Sequence, residues 1–282
     1  MNGDDLGLTA GVNRAIIEVH CAGVATSATL MARGKATEDA IENARAHPAL
    51  GVGCHVVLVD GEPLLPPDDI PSLIHPPSVR FYERLGAFLT RMVTGRVRAG
   101  EIEAETAAQI RFLQGRGLKL THVDTHKHTH MFPAVLRPVL QAARAAGIRT
   151  VRNPFEPAWS VRACRNAPLL RRIKVSLLRH LEPDFRRIVA EEGFTTTDGA
   201  IGIAATGTLD SATIRSLLAQ LPLGTWELVT HPGYVDPDLA DTGTRLLTSR
   251  EIERHALLQL RQLTTANLVS FANLHPTEPR SE

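Results

Sequence analysis

Cysteine is scarce in this chain. Its three residues, Cys21, Cys54 and Cys164, are too few and too scattered for a disulfide framework, and no C-x-x-C pair offers a thiolate metal site. A reducing compartment follows as the expectation. Long apolar runs are also missing: none approaches the roughly 18 residues that a membrane helix needs. The N-terminus opens on Asp4 and Asp5 with no basic segment leading into an apolar one, so no signal peptide is read. These absences lead us to expect a soluble, cytoplasmic protein without a transmembrane segment.

An excess of either charge is absent as well. Lys and Arg number 31 against 30 Asp and Glu, a formal charge of +1, which removes the electrostatic footprint expected of a nucleic-acid binder. Neither a G-x-G-x-x-G nor a G-x-x-x-x-G-K-[ST] loop occurs, so a nucleotide site has no support. No linker, low-complexity stretch or short repeat divides the chain. One domain over residues 1–282 is expected.

What is present is alternation. Val12, Ile16, Ile17 and Val19 lie at helical spacing and stop at Gly23; a short β-branched run, 24–31, and a helix, 38–46, follow. Apolar residues 51–59 give way to a proline-rich loop, 62–77, suited to capping a pocket. Helices near 79–95 and 100–115 lead into a strand at 118–123. Beyond it the pattern predicts a helix near 134–146, a strand at 148–152, a helix near 167–181 and strands near 194–204. A helix near 211–220, a strand at 226–230, a helix near 249–263 and a strand at 267–271 complete the chain. Repeated βα units imply a parallel sheet, and about seven of them favour a (β/α) barrel over an open doubly wound sheet. In such barrels chemistry sits where strands end.

The conspicuous polar residues fall at those ends: Asp4-Asp5, His55 in Gly-Val-Gly-Cys-His, the run His122, Asp124, His126, His128, His130, and His231 in Thr-His-Pro-Gly. Were the chain extended from 122 to 130, its alternate residues would project to one side of the sheet. Four histidines cannot all be ligands, and a histidine-rich surface turn is the plain alternative. Two imidazoles and a carboxylate are the minimal set for a catalytic divalent ion that keeps a water position open. Of two adjacent aspartates, one can ligate while the other accepts a proton. They can equally be read as capping the first helix.

These motifs resemble the YdjC-like (ChbG) carbohydrate deacetylases over nearly the whole chain. The likeness rests on Gly3-Asp4-Asp5-Leu6-Gly7-Leu8, Thr26-Ser27-Ala28-Thr29-Leu30-Met31, Gly53-Cys54-His55, His122-Val-Asp124-Thr-His126-x-His128-x-His130-Met131 and His231-Pro232-Gly233. It implies that Asp5, His55 and His126 bind a metal, that Asp4 is the general base and that His231 is the general acid. Members of the related polysaccharide deacetylase group steady the catalytic aspartate with an arginine, for which Arg152 is the candidate here. The segment Val59-Asp-Gly-Glu-Pro-Leu-Leu-Pro-Pro resembles the branch associated with hopanoid biosynthesis, although Val56 follows the ligand histidine where the family often has leucine. The implied partner is therefore an N-acetylated sugar or glycolipid.

The resemblance implies magnesium, whereas two imidazoles suit zinc or another transition ion. Asp124 is a candidate to orient a ligand histidine; His122, His128 and His130 stay unassigned. Leu170, Ile173, Leu177 and Leu181 with Arg171, Arg172, Lys174 and Arg179 form a helical stripe, expected to pack on the sheet, with peripheral membrane contact as the alternative. A homodimer is left open. Relative to the family, Leu6 replaces a phenylalanine, and only Met1, Asn2 and Gly3 precede the aspartates. The first strand is therefore expected to be missing, and an upstream start is considered. A metal-dependent phosphoesterase, a glycosidase using two carboxylates, and an inactive sugar-binding homologue are the rival functions.

Overall fold

The computed structural model describes residues 1–260 and 266–274. Six strands, β1 (Asn2–Leu6), β2 (Ser27–Leu30), β3 (Gly51–Val56), β4 (Val123–Thr125), β5 (Gly199–Ile201) and β6 (Trp226–Thr230), form one parallel sheet in the order β4-β3-β2-β1-β6-β5. Parallel neighbours require crossover connections, and helices supply them. These are α1 (Ala10–Cys21), α2 (Thr37–Ala46), α3 (Leu85–Val93), α4 (Ala99–Gly115), α5 (Pro133–Ala145), α6 (Ala158–Ala163), α7 (Leu169–Leu178), α8 (Glu182–Glu191), α9 (Ser211–Ala219), α10 (Pro237–Ala240) and α11 (Thr248–Leu260). β2 and β3 are buried at every position, including the polar residues Ser27, Thr29 and His55, as expected of central strands in a parallel sheet covered on both faces.

The expectation of a missing first strand is overturned. Asn2–Leu6 is itself that strand and lies inside the sheet: Asn2 and Gly3 pair with Ser27 and Ala28 on one side and with Val229 and Thr230 on the other. Polar Asn2, Asp4 and Asp5 had broken the apolar pattern that marks a buried strand. No sheet edge is left open beside β2, which lies between β3 and β1.

Among the described residues the sheet has six strands, where about seven were expected. Residues 148–152, expected as a strand, contribute only single bridges, Val123 to Val151 and Thr150 to Thr195. The expected strand at 267–271 is irregular chain leading into a 3-10 turn, Phe271–Asn273. Helix α8 was not anticipated. The last expected helix matches α11 as far as Leu260, and its residues 261–263 lie outside the described residues.

The proline-rich loop is stitched to α4 rather than left free. Glu101, Glu105 and Gln109 recur every four residues and so share one helix face. Glu105 accepts from the Leu64 and Leu65 amides (2.9 and 3.0 Å), Glu101 from Ser72 (2.7 Å), and Gln109 brackets the Val57 backbone. Ile70 and Leu73 in that loop are fully buried.

Candidate metal centre

Successive residues of a regular strand face opposite sides, so two adjacent aspartates should not share a site. Here they do, because the strand is broken between them. The β1–β2 register shifts between Gly3 and Leu6, and Asp5 has a φ of +67°, a left-handed conformation that aspartate tolerates better than bulkier residues. Asp5 Oδ1 lies 3.5 Å from His55 Nε2 and 3.5 Å from His126 Nδ1, while Asp4 Oδ2 lies 3.8 Å from His231 Nε2. Neither aspartate caps α1. That duty falls to Thr9, whose side chain accepts from the Val12 amide.

His55 Nε2 and His126 Nδ1 face one another at 3.3 Å, closing a triangle of donors with Asp5 Oδ1. Donors about 2.1 Å from a common centre stand roughly 3.4 Å apart at tetrahedral angles, and only about 3.0 Å apart at right angles. The triangle therefore has the dimensions of a three-donor tetrahedral face. Sheet register sets the tautomer of His55: β3 and β4 pair His55 with Asp124, and Asp124 Oδ1 holds His55 Nδ1 at 2.8 Å. With the proton on Nδ1, the Nε2 lone pair points into the triangle. Burial works against a charged His55, but the Asp124 and Asp5 carboxylates outweigh it and raise its pKa to about 10. A bound cation would compete directly with that proton.

Arg152 is fully buried and holds Asp4 through two bonds, Nη1 to Oδ2 at 2.8 Å and Nη2 to Oδ1 at 2.6 Å. It also meets Asp124 Oδ2 at 2.5 Å and Glu227 Oε1 at 2.6 Å. Burial disfavours an ionised Asp4, yet Arg152 overcomes it and keeps the carboxyl far below the usual range. Asp5 is likewise held well below that range, against burial, chiefly by Arg250. A second trio of donors, Asp4, His55 and Asp124, also converges, but the guanidinium of Arg152 already spans its two carboxylates.

His231 follows β6, and its backbone N–H donates to Glu253 Oε1 at 2.7 Å. Burial lowers the pKa of its imidazole, only partly offset by Asp4 and Asp5. Burial also raises Glu253 to about 8 and Glu227 to about 7. Arg250, from α11, donates to Asp5 Oδ2 at 2.6 Å. Gly233 must be glycine because a Cβ there would lie 2.8 Å from the Arg250 side chain. Sequence reading missed Arg250, Glu227 and Glu253. The only trace of Arg250 was the glycine in His-Pro-Gly that gives it room.

The histidine run does not stay extended. β4 ends at Thr125, and His126–Met131 winds into a 3-10 segment in which Lys127 and His128 take left-handed φ values of 55° and 53°. His126 alone of that run enters the donor triangle. His122 stacks on Phe271 with ring centroids 3.9 Å apart and fills the space over Gly53, where a Cβ would sit 2.5 Å from its ring. His130 is held by Thr125 Oγ1 (2.8 Å) and by the Arg152 carbonyl (3.2 Å), so it supports the backbone that carries Arg152. His128 has a pKa driven down to about 3 by burial.

Fold and site together define an α/β protein with a carboxylate and two imidazoles converging where its parallel strands end, beside a second carboxylate clamped by arginine. The chain belongs to the YdjC-like protein family, whose model matches residues 1–265. It is 31% identical over 277 residues to a carbohydrate deacetylase of Brevibacillus brevis, covering 96% of this chain and 92% of that protein. A carbohydrate deacetylase of Mus musculus is 31% identical over 243 residues, 82% of this chain and 76% of the other. A chitooligosaccharide deacetylase of Escherichia fergusonii is 38% identical over 150 residues, 52% of this chain and 56% of its partner. Among solved structures, an Enterococcus faecalis V583 protein provisionally named for cellobiose-phosphate cleavage superimposes with a TM-score of 0.72 at 24% identity. That match covers 94% of this chain and 95% of the other, and it establishes a shared fold.

Proposed function

We propose that this chain is a metal-dependent carbohydrate N-deacetylase, with Asp5, His55 and His126 as metal ligands, Asp4 as general base and His231 as general acid. The observation that carries the reading is the pair of imidazole nitrogens facing one another at 3.3 Å, each 3.5 Å from Asp5 Oδ1. Two unprotonated ring nitrogens and an anion so placed repel one another unless a proton or a cation lies between them. A divalent ion held there supplies Lewis acidity toward the acetamide carbonyl and makes a neighbouring water acidic. The donor set and its near-tetrahedral spacing favour zinc or a similar transition ion over magnesium.

The residues divide the remaining work. Asp4 stays ionised because Arg152 holds both its oxygens, and its Oδ2 accepts the proton of the attacking water. His231 Nε2, 3.8 Å from that oxygen, delivers a proton to the departing amine, since an unprotonated nitrogen is a poor leaving group. Because burial keeps the resting imidazole neutral, that proton arrives within the cycle, and Asp4 is the adjacent source. The products are acetate and a free amino sugar.

A two-metal phosphoesterase is disfavoured by Arg152, whose fixed charge spans the only other convergent carboxylates among the described residues. An inactive homologue would follow if the first strand were missing, and β1 is present. The test is acetate release, followed by mass spectrometry, from a panel of N-acetylated chito-oligosaccharides and glycolipids before and after chelation. Activity lost on chelation and restored by a divalent ion supports the proposal. Full activity in the metal-free protein contradicts it.

A further inference from the structure

Helix α7 departs from every other long helix of the fold in burying no residue. Leu169, Leu170, Ile173 and Leu177 are 69, 64, 46 and 61% exposed. At about 100° per residue these four fall within one arc roughly 100° wide, so they form a continuous apolar stripe turned to solvent. The opposite side does the anchoring: Val175 and Leu178 pack against the buried clusters. The sequence expectation that this stripe packs on the sheet is thus reversed.

The charge along the segment that carries the stripe has one sign as far as Glu182, which pairs with Arg179. From Pro157 to Leu181 the chain carries six basic residues, Arg162, Arg165, Arg171, Arg172, Lys174 and Arg179, and no aspartate or glutamate. On the helix, Lys174 and Arg172 flank the apolar arc on either side by the same geometry. Arg162, Arg165 and Lys174 are exposed and have no ion-pair partner among the described residues. A packing surface for a second protein copy would gain from acidic residues to meet these cations, and the segment offers none. An amphipathic helix with an apolar face bordered by cations matches the interface of an anionic bilayer, where acyl chains lie beneath negative headgroups.

Its position fits that partner. Arg171 donates to the Thr206 carbonyl, in the loop that follows β5, so α7 sits at the edge where the strands end and the donor triangle lies. We propose that α7 is a docking surface for anionic lipid bilayers, with its apolar stripe entering the headgroup boundary and its basic border meeting the lipid charge. The contact is peripheral and reversible, since one short helix is far from the length of a membrane span.

The experiment is flotation of the full chain with vesicles of phosphatidylcholine alone or mixed with about one third phosphatidylglycerol, at low and high salt. The wild type is expected to bind the anionic vesicles at least about tenfold more tightly than the neutral ones, and to be released as salt rises. Combined Leu170→Ser, Ile173→Ser and Leu177→Ser should abolish flotation, and Arg165→Glu with Lys174→Glu should weaken it about tenfold, with circular dichroism and melting unchanged because these side chains are exposed. Wild-type protein that ignores anionic vesicles, or binds neutral ones equally, overturns the proposal. So does a dimer in light scattering that the triple serine variant dissociates while vesicle binding is absent, since α7 is then a self-association face.

Discussion

Replacing Arg250 by methionine isolates a contribution that no sequence motif announced. The Arg250–Asp5 pair is 2.6 Å long, with side chains only 1% and 5% exposed. Removing one partner of such a buried pair costs about 3–5 kcal/mol, because the other charge is left uncompensated. At roughly 2–4 °C per kcal/mol for a chain somewhat smaller than this one, the metal-free variant should melt on the order of 10 °C below wild type. Metal binding should suffer less than stability: loss of a group that orients a ligand typically lowers affinity ~10–100-fold, or about 1.4–2.7 kcal/mol. Because a ligand stabilises the folded state in step with its affinity, the weaker-binding variant gains less from added metal, and the melting gap should widen. Differential scanning calorimetry with and without zinc, beside calorimetric metal titration, reads both quantities. A variant with wild-type melting and wild-type metal affinity would refute the role of Arg250 in holding Asp5.

Other expectations follow from the same network. Asp124→Asn should lower metal affinity ~10–100-fold in a titration, since an amide holds His55 Nδ1–H less firmly than the carboxylate at 2.8 Å does; unchanged affinity would count against the tautomer argument. Glu253 has a pKa raised from 4.5 to about 8, so in the metal-free protein its folded form binds a proton that the unfolded chain releases. Stability from this group is therefore full below pH about 4.5 and is lost as pH rises toward 8, by on the order of 5 kcal/mol at most. Glu253→Gln keeps an acceptor for the His231 amide and should flatten the fall in melting temperature between those values; an unchanged pH profile would contradict it. The opposite sign applies to Asp4, Asp5 and Asp124, whose depressed pKa values contribute stability above pH about 4 that is lost in stronger acid.

Much of the fold was legible because it rests on periodicity. Gly51–Val56 and Trp226–Thr230 are short apolar runs between helical patterns and appear as strands. β1 was not legible, since Asn2, Asp4 and Asp5 occupy three of its five positions and a buried strand is recognised by apolar content. The donor residues were visible as motifs, but the means of bringing Asp4 and Asp5 to one cleft was not: it depends on a register shift and a positive φ that composition does not encode. Extrapolating the alternation of His122, Asp124 and His126 to His130 failed for a related reason, as Lys127 and His128 turn the chain through left-handed conformations. Arg250, Glu227 and Glu253 lie on helix and strand positions whose burial arises only from tertiary packing.

The division of labour between the two adjacent carboxylates is the centre of the account, and metal stoichiometry measured beside turnover tests it most directly. Asp5→Asn removes the anionic donor of a three-residue site and should lose the ion and the activity together. Asp4→Asn leaves the donor triangle intact and should retain the ion while turnover falls ~10²–10⁴-fold, because an amide cannot accept the proton. Near-normal turnover in Asp4→Asn together with full metal content in Asp5→Asn would contradict the assignment of both residues.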